Sequence, residues 1–189
     1  MSASPDPVRA AAAYQQLLIT LLGNDDPARV QEGTPEAVRG LMRDAGGDLR
    51  RRPAPKEWSV LELVGHLHDA EIVMAGRYRW AISEDRPPLI GYDQDLWVER
   101  LRHNQDDPEQ MLAVFQAVRT ANLALWRRAT LEDRGRVVMH AERGPESYDL
   151  MFRMIAGHDR FHLNQMRDTI AALTRSRIPS HSGSEYPAG

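Results

Sequence analysis

No cysteine occurs anywhere in the 189 residues. Disulfides, thiolate metal ligands and a cysteine nucleophile are therefore excluded. Long apolar runs are lacking too: no stretch approaches the roughly 20 residues needed to cross a bilayer. Charge of one sign is not in excess. There are 24 Lys and Arg against 27 Asp and Glu, and the net charge is −3. A balance so close to neutral leaves no electrostatic footprint for nucleic acid. Residues 1–18, MSASPDPVRAAAAYQQLL, lack a basic segment ahead of an apolar core. No secretion signal is expected, and a cytoplasmic location is the default. No internal repeat or linker divides the chain. We expect a single domain over residues 1–178 and a flexible tail at 179–189.

What is present reads as helix. Asp6-Pro7 is a good helix start, with an N-cap followed by proline at the first helical position, and Gly23-Asn24 stops that helix after Leu22. Residues 24–33 read as a connector, and Thr34-Pro35-Glu36 as the start of a shorter second helix ending near Gly46-Gly47. The clearest start is Ser59, which forms a Ser-x-x-Glu capping box with Glu62, just after Trp58. From there Val60, Leu63, Val64, Leu67, Ala70, Val73 and Met74 follow a 3.6-residue period until Pro87-Pro88. Residues 84–106 form a long crossover without a strong period. Asp107-Pro108 starts another helix ending near Ala129, and Ser147 caps a last long one ending about Arg177. Only residues 134–147, with Val137-Val138-Met139, carry a β flavour, read as an irregular loop or short hairpin. The fold class is all-α: a four-helix bundle with a long crossover connection.

The last helix carries GHDRFHLNQMRD, residues 157–168, which puts His158 and His162 four apart. Positions i and i+4 share a helix face. These two imidazoles interrupt an apolar stripe of Met151, Met154, Ile155, Met166 and Ile170. Two histidines so placed grip one metal ion from one helix. The best third ligand is His66 in WSVLELVGHLHD, residues 58–69, on the apolar stripe of its own helix. Imidazole suits zinc, nickel, iron, cobalt and copper, so spacing does not name the metal. His68, His103, His140 and His181 default to surface roles. Tyr92 and Asp93 are candidates to line the mouth of the site, against a simple turn with a packed tyrosine. Asp69 and Asp159 are candidates to orient a ligand histidine, against capping or solvent pairing. Arg77 and Arg79 are candidates to meet an acidic cosubstrate, against ordinary salt bridges. Trp58, Trp80, Trp97 and Trp126 are expected to pack the core and helix ends.

WSVLELVGHLHDAE and GHDRFHLNQM resemble the two signature segments of the DinB superfamily of metal-binding four-helix bundles. In that family one histidine follows a Trp-Ser helix start and two come from a His-x-x-x-His on the last helix. By position the resemblance assigns the metal to His66, His158 and His162. AISEDRPPLIGYDQDLWVE, residues 81–99, is similar to the corresponding stretch of the bacillithiol S-transferase-like branch. The resemblance implies a divalent metal, zinc or nickel first and iron or manganese next. It implies a small-molecule thiol and an electrophilic substrate, since this chain has no thiol of its own. A homodimer is plausible for such a bundle, and neither nucleic acid nor membrane is expected as a partner. The same three histidines serve a hydrolase equally well. Two other readings stay open: a non-enzymatic, stress-related metal-binding protein, and a structural bundle whose histidines are polar core groups.

Overall fold

Two of the long helices open on Asp-Pro. In this computed structural model, which describes residues 11–177, Asp26 caps α2 (Pro27–Ala45) by accepting from the Ala28 N–H at 2.8 Å. Asp107 caps α5 (Pro108–Arg128) by accepting from the Gln110 N–H at 2.9 Å. Proline at the first helical position loses nothing, because that N–H has no intrahelical partner. The expected helix start at Asp6-Pro7 and the tail at 179–189, with His181, lie outside the described residues.

The start at Thr34 is corrected: the helix begins seven residues earlier and runs straight through Pro35. A proline at that position cannot donate to the carbonyl four residues back, which is Gln31. The structure fills the gap from another helix, as the Arg119 Nη1 donates to the Gln31 oxygen at 3.2 Å. A breaker read locally is thus repaired by a tertiary contact.

Four long helices form the bundle: α2, α3 (Val60–Ser83), α5 and α7 (Tyr148–Arg177). α7 packs on α2 and α3, α5 packs on α2 and α3, and α1 (Ala11–Leu22) lies along α7. Ser59 and Glu62 make the expected capping box of α3, and the Ser147 hydroxyl accepts from the Leu150 N–H at the start of α7. The apolar core falls into one cluster around Leu63, Leu112, Phe115 and Met166, and another around Tyr78, Trp126, Tyr148 and Phe152. On α7, His158 and His162 lie between the stretches that face these clusters. Trp126 stacks on Phe152 as expected, but Trp80 is 52% exposed and packs no core.

The long crossover is not structureless. It holds β1 (Pro88–Leu89), α4 (Gln94–Arg100) and a single 3₁₀ turn at 103–105. β1 pairs in parallel with β2 (Val137–His140), which forms a hairpin with β3 (Gly144–Ser147). Gly144 supplies the φ of +78° at the hairpin turn. A short α6 (Leu131–Gly135) with a Thr130–Asp133 capping box precedes the hairpin. This small sheet covers one end of the bundle beside α3.

Gly157 sets how closely α1 approaches α7. A Cβ there would collide with the Leu18 carbonyl, which is backbone and cannot rotate away. Gly157→Ala is expected to lower stability by about 1–3 kcal/mol, although alanine is favoured by about 1 kcal/mol inside a helix. Urea unfolding checks this; a raised midpoint would mean that α1 does not lie so close.

Candidate metal centre

His66 sits in the second turn of α3, where the Ser59–Glu62 cap and the packing of Trp58 fix the helix start. The Trp58 ring is 5.1 Å from the His66 ring and 6.4 Å from that of His162. His158 and His162 project from successive turns of α7. The structure brings all three histidines together in the core. The His158 Nε2 is 2.9 Å from the His66 Nε2 and 3.1 Å from the His162 Nε2. One ring nitrogen from each lies within 4.8 Å of the other two.

The donor set suits a cation. The His162 Nδ1 faces the Gln165 side-chain oxygen at 2.9 Å. An amide oxygen only accepts, so Nδ1 carries the proton and Nε2 presents its lone pair to the cluster. A proton on the His158 Nε2 satisfies one neighbour and leaves the other unpaired. A single positive ion satisfies all three, and nitrogens roughly 2.1 Å from one ion stand roughly 3.0–3.4 Å from each other, between right and tetrahedral angles. Burial, followed by the neighbouring imidazoles, pushes the pKa values of His66 and His158 well below the ordinary range. Burial pushes that of His162 down to about 4. All three are therefore neutral near pH 7, with no proton to displace before a cation could bind.

A cavity of about 100 Å³ opens beside His66 and His158. Its far walls are the 91–94 stretch, with Tyr92, and the turn of the β2–β3 hairpin. The site is thus reached past the 91–94 stretch and the β2–β3 turn.

Other candidates behave differently. Asp93 caps α4 by accepting from the Leu96 N–H, and Tyr92 packs on Trp97, ring centres 4.5 Å apart, while lining the cavity. Arg79 donates to the Ala75 carbonyl and the Asn122 amide oxygen. Asp159 is neither a partner of a ligand histidine nor solvated; it is fully buried against Arg119 and Thr34. Asp69 accepts from His103 and His68 rather than from one of the clustered histidines. The residue that does orient one of the clustered histidines is Gln165, three positions after His162 and so on the same helix face. That spacing was the available signal.

His103 and His140 are corrected from surface to interior, at 4% and 3% exposure. His103 sits in a 3₁₀ turn and His140 at the end of strand β2, on the face of the buried Val138, and no helical period announces either. His103 packs where α3 has only Gly65; a Cβ there would overlap its ring. Its Nε2 lies 2.6 Å from the Asp69 Oδ2 and its Nδ1 2.9 Å from the Asp106 Oδ2.

The Asp69–His103 pair makes stability depend on pH with a definite sign. The hydrogen bond that His103 donates to Asp69 raises the His103 pKa, burial opposes it, and Asp106 adds to the rise. Burial pushes Asp69 up, but His103 and His68 outweigh it and hold the carboxyl below its usual value. The raised histidine stabilises fully below its unfolded pKa of 6.5 and loses that contribution as pH rises through its folded value. The lowered aspartate stabilises above its unfolded 3.8 and loses that as pH falls through its folded value. His103→Gln should therefore cost most stability between about pH 4 and pH 6.5, and less at alkaline pH. Urea midpoints of both proteins across pH check this. A difference that grows toward alkaline pH would contradict the charged pair.

A protein of Oceanobacillus iheyensis named as a candidate metal-dependent hydrolase is 28% identical over 56% of this chain and 61% of its own. A candidate metal-dependent hydrolase of Bacillus subtilis, YfiT, is 30% identical over 39% of this chain and 41% of its own. The chain thus spans less than two thirds of the length of the curated relatives it matches. The solved structure of YfiT, described as having an unusual four-helix bundle topology, superposes with a TM-score of 0.73. It is 20% identical and covers 78% of this chain and 86% of its own. A sequence model of the DinB superfamily matches residues 28–166. That stretch contains all three clustered histidines, α3 and α5 whole, α2 but for Pro27, and α7 as far as Met166, so the chain belongs to the DinB superfamily.

Proposed function

We propose that the protein is a metal-dependent enzyme of small molecules in which His66, His158 and His162 hold one divalent ion. The observation that supports this is the convergence of three neutral imidazole nitrogens at the inner end of a cavity. Imidazole donors suit zinc, nickel and iron, and manganese, which prefers oxygen donors, ranks behind them. A bound ion of this kind lowers the pKa of a water or thiol and so supplies a nucleophile near neutral pH. The protein's part is to keep the ligands neutral by burial, to hold the His162 tautomer through Gln165, and to admit reactants past His66 and His158. The names of the relatives favour hydrolysis.

The cavity lining favours transfer of a small-molecule thiol to an electrophile as the second reading. Its one carboxylate, Glu142, is exposed, and the buried Asp69, whose charge acts on His66, is occupied by His103 and His68, so no carboxylate of the lining is held in place to take a proton from water. A thiol needs less help, since its pKa is already about 8.5.

Metal content by mass spectrometry of untagged protein should give about one equivalent per chain. Turnover should then be compared on an ester and amide panel and on a thiol with an activated aryl halide. No metal after reconstitution with zinc, nickel, iron and manganese would end both readings. One equivalent with turnover on only one panel would choose between them.

A further inference from the structure

Two arginines are buried in the described chain, and they are not alike. Arg119 meets two carboxylates. Arg77, at 6% exposure, has no carboxylate within ion-pair distance among the described residues. Its Nη2 donates to the Ile90 carbonyl at 2.6 Å, and its Nη1 has only the Met74 sulfur, at 3.9 Å. A guanidinium carries five N–H donors, and a buried cation without an anion is costly. Arg77 lines the cavity that begins at His66 and His158.

His140 lines the same cavity with a second unmet donor. Its Nδ1 accepts from the Glu142 N–H at 3.2 Å, so Nε2 carries the ring proton, and that buried Nε2 has no partner among the described residues. Burial, then the charges of Arg143 and Arg77, push its pKa down to about 4, which leaves a neutral N–H donor. Arg143 adds a second positive group, though its guanidinium is engaged by Glu146. Burial pushes the Tyr92 phenol up to about 12, so it too stays protonated. Donors collect at this end of the cavity, and the one carboxylate of the lining, Glu142, is exposed.

Between this end and the histidines the wall is apolar, with Ala70 and Met74 on α3 and Met151 and Ile155 on α7. His66 and Arg77 are eleven residues apart on one helix, about 16 Å along its axis. We infer that the cavity takes a small molecule with an anionic head, carboxylate or phosphate-like, at Arg77 and His140, and an apolar body reaching toward the histidine cluster. This assignment of substrate class rests on reading the three histidines as the reactive centre.

The test is binding of hexanoate, hexylphosphonate and the neutral hexanamide to the full chain. Calorimetry gives the affinities, amide chemical-shift mapping gives the place, and metal content is measured on the same samples. At least one anion should bind about tenfold or more tightly than the amide, with shifts at Ala70, Met74, Tyr92 and His140. The tighter of the two identifies the head group. R77Q should lose about tenfold or more of that affinity while keeping its metal, and R77K, which retains the charge, should lose less. Equal binding of anion and amide, no binding of either anion, or R77Q binding like wild type would overturn the inference. If R77Q does not fold, the anion–amide comparison on wild type decides alone. Anion binding without metal would sink the metal reading and leave this one; metal without anion preference would do the reverse.

Discussion

His158→Ala is expected to leave a folded protein whose affinity for a divalent ion has fallen more than about 100-fold, beyond what loss of a supporting partner of a ligand costs. His158 is the middle member of the cluster: its Nε2 lies 2.9 Å from that of His66 and 3.1 Å from that of His162. Without it the two survivors come from different helices and share no ring between them. His66→Ala and His162→Ala should lose the metal as well. Folding should survive, because truncation removes a buried imidazole whose Nδ1 has no hydrogen-bond partner among the described residues. Metal content by mass spectrometry and the far-ultraviolet circular dichroism spectrum, taken on one preparation, check both halves. A His158→Ala protein that kept one equivalent would place the metal elsewhere. A wild type without metal would return the histidines to a structural role.

Arg119→Met is expected to produce the largest loss of stability of any single substitution considered, about 3–5 kcal/mol. That is a large part of the about 5–15 kcal/mol by which a domain is normally stable. Arg119 joins α5 to α3 through Glu71, to α7 through Asp159, and to α2 through the Gln31 carbonyl. Burial alone would lower its pKa; Asp159 and then Glu71 outweigh that and keep it protonated. Methionine fills much of the volume but leaves two carboxylates buried without a cation. Thr34 and Asn122 still donate to them, at 2.8 and 2.7 Å, but supply no charge. It also uncovers the carbonyl that Pro35 cannot satisfy. Guanidinium unfolding of the single variant and of Glu71→Gln/Arg119→Met/Asp159→Asn separates these effects. The triple variant should recover most of the loss, because neutral amides tolerate the site without a cation. A single-variant loss under about 1 kcal/mol, the level of an exposed ion pair, would mean that water reaches these carboxylates.

Wherever a signal is carried by neighbours along the chain, the sequence was legible. The Ser59–Glu62 cap, the Asp107-Pro108 start and the apolar period of α3 each depend on residues within a turn or two, and the structure has them where local rules put them. His158 and His162 share a face because any helix places i and i+4 there. The start of α2 was misread for the complementary reason. Pro35 breaks a helix by local rules, and only Arg119, 88 residues from Gln31, repairs the bond it forfeits. Trp80 shows the same limit from outside, since an aromatic side chain does not announce that its face of α3 is left uncovered.

The sequence by itself determined the all-α class, the ends of most long helices and the three histidines as a candidate set. All of these follow from backbone propensity and helical period, which act over a few residues. Only the tertiary structure decided that three Nε2 atoms point at one another, that His103 and His140 are interior, and that Arg119 has two anions and Arg77 none. Burial and ion pairing are properties of what packs against a residue. In this chain those partners lie tens of residues away, on other helices or in the loops that close the end of the bundle.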